Sequence, residues 1–404
     1  MSQHFDVAVI GMQRAGIIAA ALLAKRGQRV LLIDHGEHST NYTRLGLKLP
    51  LVPELLPALD RSPQVNRVLD ELGVGPELRS GRIALEPAFQ AIMPHHRLDI
   101  RGAPDAILQE LKLEFPQVVA GVAHFFERLF ALDQEISEFL ASSPPLPPSG
   151  WRQRWQAKSF LARVSHLDVP FESHQLLEGI PEDHPIRDLL LGPLAFFGHL
   201  AAETPSTFHA VRLLARYFDG CVAYPDRLGG LESMLIRIAQ NTGVETKRGA
   251  LVQRIVLDGR RLRTLEIAGE RVPWSADYFI ANTFSPFHEI LPPNKHQARL
   301  AMEHQRTRPV GCLFVLNIVV EREVIPMGMG EALFLLNGRR QSRGDIPPDP
   351  PLFVRRSPAQ RGKMRTQKNT QTIEDTTRDV LSIACQYRPP RSFIQPNGKL
   401  ISND

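Results

Sequence analysis

Apolar residues near the N-terminus fall into three short blocks with different periods. Phe5-Asp-Val-Ala-Val-Ile10 is a β-branched and apolar run, the pattern of a strand buried on both faces of a parallel sheet. From Ala15 to Lys25 the chain is mostly Ala, Ile and Leu, with no breaker after Gly16, which predicts a buried helix stopped by Gly27. Arg29-Val-Leu-Leu-Ile33 is then a second buried strand, closed by Asp34. Strand, glycine turn, helix, strand and terminal acid together predict a βαβ dinucleotide-binding unit. Its helix N-terminus faces a pyrophosphate, and its acid takes a ribose hydroxyl. Gly11 and Asp34 stand 23 positions apart, near the spacing of about 20 that such a unit uses.

The loop Gly11-Met-Gln-Arg-Ala-Gly16 makes Gly11, Gln13, Arg14, Ala15 and Gly16 candidate ligand residues. The tight-turn and helix-packing glycines are present. Gln13 occupies the middle position, where the backbone approaches the phosphates. Its Cβ either crowds them or its amide, with Arg14, assists them. Asp34 in place of an arginine argues against a 2′-phosphate, so FAD or NAD is preferred to NADP.

A second patterned block starts at Tyr224-Pro-Asp-Arg-Leu-Gly-Gly, a turn leading into an amphipathic helix that ends near Gln240. A strand with the spacing Gly249-x-x-Val252-x-x-Ile255 follows, then a hairpin through Leu262–Ile267 and a strand ending at Ala281-Asn282. With the first block, this succession resembles the flavoprotein family of phytoene desaturases, protoporphyrinogen oxidases and amine oxidases, the desaturase-like branch above all. The resemblance implies FAD as cofactor and places Val252 beside the adenine, through its backbone. It also implies hydride transfer to flavin from an apolar, isoprenoid- or carotenoid-like substrate or from an amine. No catalytic residue follows from it. The family's glycine-rich closing segment has no counterpart before Asp404. A truncated, non-catalytic nucleotide-binding scaffold is therefore the alternative expectation.

The fold class expected is α/β: a Rossmann-like FAD domain from residues 1–80 and 222–290, and a mixed α+β substrate domain from 81–221 and 291–404. Arg82 to Ile100 reads as a hairpin with His95-His96 at its turn, and residues 104–142 and 152–164 read as helices around a proline-rich linker. Residues 188–202 and 207–219 are strongly apolar helices, suited to core, to a substrate pocket or to peripheral membrane contact. The segment 338–368, rich in Arg, Pro and Gln, reads as a basic flexible loop, and Asp379–Tyr387 as one more strand.

Composition narrows the function classes. Apolar residues make up 43% of 404, ample for a core, and no run is long enough for a spanning helix. Residues 338–404 hold 13 bases against 6 acids, leaving 35 against 37 elsewhere, so a generally basic nucleic-acid surface is not expected. Cys221, Cys312 and Cys385 form no CxxC pair, and no H-E-x-x-H or G-x-S-x-G occurs, so neither a metal site nor a hydrolytic nucleophile is expected. With no secretory leader visible, the expectation is a cytoplasmic protein acting on a small molecule, its oligomeric state unread.

Overall fold

The computed structural model describes residues 4–35, 40–58, 62–141, 150–198, 204–225, 228–258, 261–283, 287–306, 312–336, 351–361 and 373–387. The strands His4–Ile10 and Val30–Ile33 lie side by side and parallel, Val7 opposite Val30 and Ile10 opposite Ile33. Both are apolar because both faces are covered: Ala8, Val9, Ile10 and every residue of Val30–Ile33 are buried. Around this pair the sheet runs Glu245–Lys247, Val30–Ile33, His4–Ile10, Trp274–Ala281, Arg261–Ile267, Val252–Asp258. The first four are parallel and the last two antiparallel. The two patterned blocks of sequence therefore build one sheet, as an α/β Rossmann-like unit assembled from separated segments requires.

The helix Arg14–Lys25 packs on this sheet through Gly16, Ile17, Ala20 and Ala21, one face at helical spacing. It ends where Gly27 takes φ +85°, a left-handed conformation that costs glycine little. The helix Gly230–Asn241 lies beside it, and their apolar faces share one core with Val9, Leu32 and Tyr224.

A second, mixed sheet runs Cys312–Glu321, Ile373–Tyr387, Leu352–Arg361, Ala332–Leu335, Phe89–Ile92, Arg97–Ile100. The hairpin Phe89–Ile92 and Arg97–Ile100 turns at His95-His96, as its sequence predicts. The strands Asn41–Arg44 and Leu47–Pro50 also belong here, through pairing of Leu47–Pro50 with Leu352–Arg361. Helices Pro104–Glu114, Val119–Ala141, Ile186–Phe197 and Thr207–Phe218 pack against this sheet around Phe89, Phe125, Phe218, Phe334 and Phe353. Within that layer Asp133 is buried and receives hydrogen bonds from Arg212, at 2.7 Å, and from Arg216.

The basic stretch corrects the sequence reading. Leu352–Arg361 is an interior strand, not a loop. Two of its arginines are paired: Arg356 Nε donates to Asp379 at 2.7 Å, and Arg355 lies 3.2 Å from Glu331. Pro358 sits at a register shift, where a residue without an N–H is tolerated. The rest of that stretch, 338–350 and 362–368, lies outside the described residues, as do the proline-rich linker at 142–149 and the chain after 387. The apolar helices also resolve in favour of core: Leu189, Leu190, Leu191 and Leu194 of the first and Val211, Leu214 and Phe218 of the second are buried. Residues 199–203 lie outside the described residues.

Candidate dinucleotide-binding site

The site is built where the parallel strands end. Gly11 has φ +104° and donates its N–H to Ile33 at 2.8 Å. A Cβ on Gly11 would come within 1.8 Å of the Asn282 carbonyl oxygen, and one on Gly16 within 2.4 Å of the Gly11 carbonyl oxygen. Both glycines are thus demanded by the crossing of the first strand, the helix and the strand ending at Ala281, whatever binds there. Asn282 closes the crossing by donating its N–H to Ile10 at 2.7 Å.

Gln13 is the N-cap of Arg14–Lys25, with φ −84° and ψ 167°, an extended conformation open to any L-residue. Its side chain makes no capping hydrogen bond, and no acid stands in the first helical turn. Ala15 is exposed on that turn. The helix therefore presents its positive end and its first N–H groups without a side-chain competitor, as an anion-binding terminus requires.

Arg14 is directed elsewhere. Its guanidinium donates to Glu232 at 2.7 Å and pairs with Glu54. Burial works against its charge, but the two carboxylates outweigh this and hold its pKa above the ordinary guanidinium value. Burial raises the Glu54 carboxyl, against the pull of Arg14. Glu232 reaches Arg14 because it sits in the first turn of Gly230–Asn241, immediately after the glycine pair. A Cβ on Gly230 would meet the Pro225 carbonyl oxygen at 1.9 Å, so this second glycine turn too is set by backbone contact. Beside the trio lies a cavity of about 50 Å³, lined among others by Thr40, Glu54, Tyr224, Glu232, Arg355 and Ser357.

At the other end of the loop, Asp34 donates its N–H to Lys247 and accepts the Gly249 N–H on its carboxylate at 3.2 Å. Val252 has a buried side chain, and its N–H donates to His35 Nδ1 at 3.2 Å. Asp34 and Val252, 218 positions apart in sequence, are thus brought together through His35 and Gly249. Sequence reasoning missed His35, Glu54 and Glu232. Only Glu232 had a local signal, an acid in the first turn after a glycine pair. Among the described residues, no group of three or more His, Cys, Asp or Glu is arranged to hold a metal ion.

These groups fit a dinucleotide: an uncapped helix terminus donating to the pyrophosphate and a carboxylate at the second strand end accepting from a ribose. The cavity beside Arg14 has room for a water or two.

Known proteins resemble this chain in sequence and in fold. The family model of the NAD(P)-binding Rossmann-like domain matches residues 9–72. The 4,4'-diapolycopen-4-al dehydrogenase of Metabacillus indicus is 22% identical over 303 residues, 72% of this chain. The aligned part is 59% of that protein's length, so the chain spans less than two thirds of this curated relative. Wild-type putrescine oxidase bound to putrescine superposes with a TM-score of 0.51 at 16% identity, covering 96% of this chain and 76% of that one. A protein from Pyrococcus furiosus superposes at 0.53 with 11% identity, covering 95% and 80%. The resemblance read from the two glycine blocks is supported: residues 9–72 match an NAD(P)-binding Rossmann-like domain, in a chain that shares its fold with a putrescine oxidase.

Proposed function

We propose that this chain is an FAD-dependent oxidoreductase that removes hydride from an apolar, isoprenoid- or carotenoid-like substrate or from an amine. The observation that carries the reading is the convergence of the uncapped Gly11–Gly16 turn, the Asp34 carboxylate and the Gly249–Val252 segment at one end of the parallel sheet. In this reading, the N–H groups at Gln13, Arg14 and Ala15 bind the pyrophosphate, Asp34 accepts from the adenosine ribose, and Val252 lies against the adenine. A bound flavin supplies the hydride-accepting chemistry itself. The protein would orient the two reactants and exclude water. The matched proteins include a diapolycopenal dehydrogenase and a putrescine oxidase, one name for each substrate class.

One observation favours a second reading, a nucleotide-binding scaffold without turnover: the cavity lined by Glu54 and Glu232, the partners of Arg14, measures about 50 Å³. A visible spectrum of the purified chain separates the two. Flavin bands near about 370 and 450 nm that bleach on adding substrate anaerobically support the enzyme. Bands that no amine or apolar alcohol, aldehyde or polyene bleaches favour the scaffold, and a chain that neither purifies with FAD nor takes it up refutes the flavin assignment.

A further inference from the structure

The helices that sequence offered to a membrane are core, and the surface with lipid-interface chemistry lies on another helix, Gly150–Ala162. Trp151 is 75% exposed and Trp155 70%. Large aromatic side chains normally bury 150–250 Å², so two of them standing in solvent on one helix require an explanation. They are four positions apart and therefore neighbours on one face. Arg154 and Lys158 complete that stripe at the i, i+3, i+4, i+7 positions counted from Trp151. Arg152 stacks its guanidinium over the Trp151 ring, 5.4 Å from its centre. Among the described side chains of the helix, Ala157 is buried and Gln153 half-buried, on roughly the opposite side. The helix is thus docked through one side and presents both tryptophans outward.

Charge selects the partner. Between residues 139 and 167 there is no Asp or Glu, while Arg152, Arg154, Lys158 and Arg163 are basic. A basic helix with outward tryptophans matches the boundary of an anionic bilayer, where indole rings sit at headgroup level and cations meet lipid phosphate. No helix among the described residues is long and apolar enough to cross a membrane, so the contact is one of lying on the surface. We propose that Gly150–Ala162 is the segment through which this protein seats on an anionic lipid surface. The proposal is independent of the cofactor reading.

Only three tryptophans are present, and Trp274 is 8% exposed and donates its indole N–H to Glu270. A change in tryptophan emission on adding vesicles therefore reports on Trp151 and Trp155. The experiment titrates the full chain with vesicles of phosphatidylcholine alone and of phosphatidylcholine with one part in three phosphatidylglycerol, reading emission and co-sedimentation. Blue-shifted emission and co-sedimentation are expected with the anionic vesicles only, weakening as salt is raised. Trp151→Gln with Trp155→Gln should lower partition about tenfold or more. Arg152→Gln, Arg154→Gln and Lys158→Gln should each lower it about fivefold at low salt. Unshifted emission with anionic vesicles overturns the proposal, as does equal partition of the double tryptophan variant with its Trp274 emission and thermal transition intact. Single-stranded RNA that shifts the emission while anionic vesicles do not would overturn it in favour of a nucleic-acid surface.

Discussion

The carboxylate of Asp34 holds the backbone N–H of Gly249 at 3.2 Å, tying the end of the second strand to a loop 215 positions later in the chain. The residue best placed for a ribose is thus also a fastener between the two glycine blocks. Asp34→Ala removes both roles. If the carboxylate binds the ribose, flavin retained through gel filtration should fall about ten- to a hundredfold, the worth of charged hydrogen bonds of about 1.5–3 kcal/mol. Unchanged flavin-to-protein absorbance would sink the ribose assignment.

Gln13 separates steric from polar roles at the phosphate loop. Its extended backbone does not need a glycine, so Gln13→Gly should cost less than about 1 kcal/mol in urea unfolding. Removing the side chain clears the approach to the pyrophosphate, and FAD should bind more tightly in a fluorescence titration. Weaker binding would mean that the Gln13 amide is itself a ligand.

Gly11 and Gly27 both have positive φ, at +104° and +85°, yet substitution should affect them very differently. Alanine at 11 drives a Cβ into the Asn282 carbonyl, whereas nothing lies within 4 Å of a Cβ at 27. Gly11→Ala should therefore cost about 3 kcal/mol or more, from strain and overpacking together. Gly27→Ala should cost about 1–2 kcal/mol, from the left-handed conformation alone. Equal unfolding midpoints for the two variants would contradict the crossing described here.

Asp133 stands between Arg212 and Arg216 in the helical layer, with only 5% of its side chain exposed. Asp133→Ala leaves the largely buried Arg212 guanidinium without a carboxylate and Arg216 with Asp219 at 3.6 Å, and should destabilise by about 3 kcal/mol. Urea denaturation measures it, and a loss below 1 kcal/mol would show that the cluster relaxes into water.

Burial pushes the Cys221 thiol from an ordinary 9.0 up to about 12. At pH 8 only about one molecule in ten thousand then carries the thiolate. Iodoacetamide should label the partly exposed Cys312 and Cys385 first and reach Cys221 only on unfolding. Because the folded pKa lies above the unfolded one, this group's contribution to stability is complete below about pH 9 and is lost as pH rises toward 12. Peptide mapping that finds Cys221 labelled in the folded protein at pH 8 would contradict its burial.

The dinucleotide fold was legible because its signals are local. A doubly buried strand must be apolar throughout, a buried helix must repeat near 3.6 residues, and a turn at φ +104° must be glycine, so Phe5–Ile10, Ala15–Lys25 and Gly11 declare themselves without any neighbour. The hairpin at His95-His96 was readable for the same reason. What tertiary structure decided is the fate of charge. Arg355, Arg356 and Pro358 read as a solvated loop because their sequence neighbours offer them nothing. Glu331, Asp379 and a register shift, supplied from elsewhere in the chain, make that segment an interior strand. Arg14 looked like a phosphate ligand from its place in the loop, yet Glu54 and Glu232 arrive from 40 and 218 positions away and take its guanidinium. Steric and periodic constraints act within a few residues and are written in the local sequence, whereas a charge finds its partner only after the chain has folded.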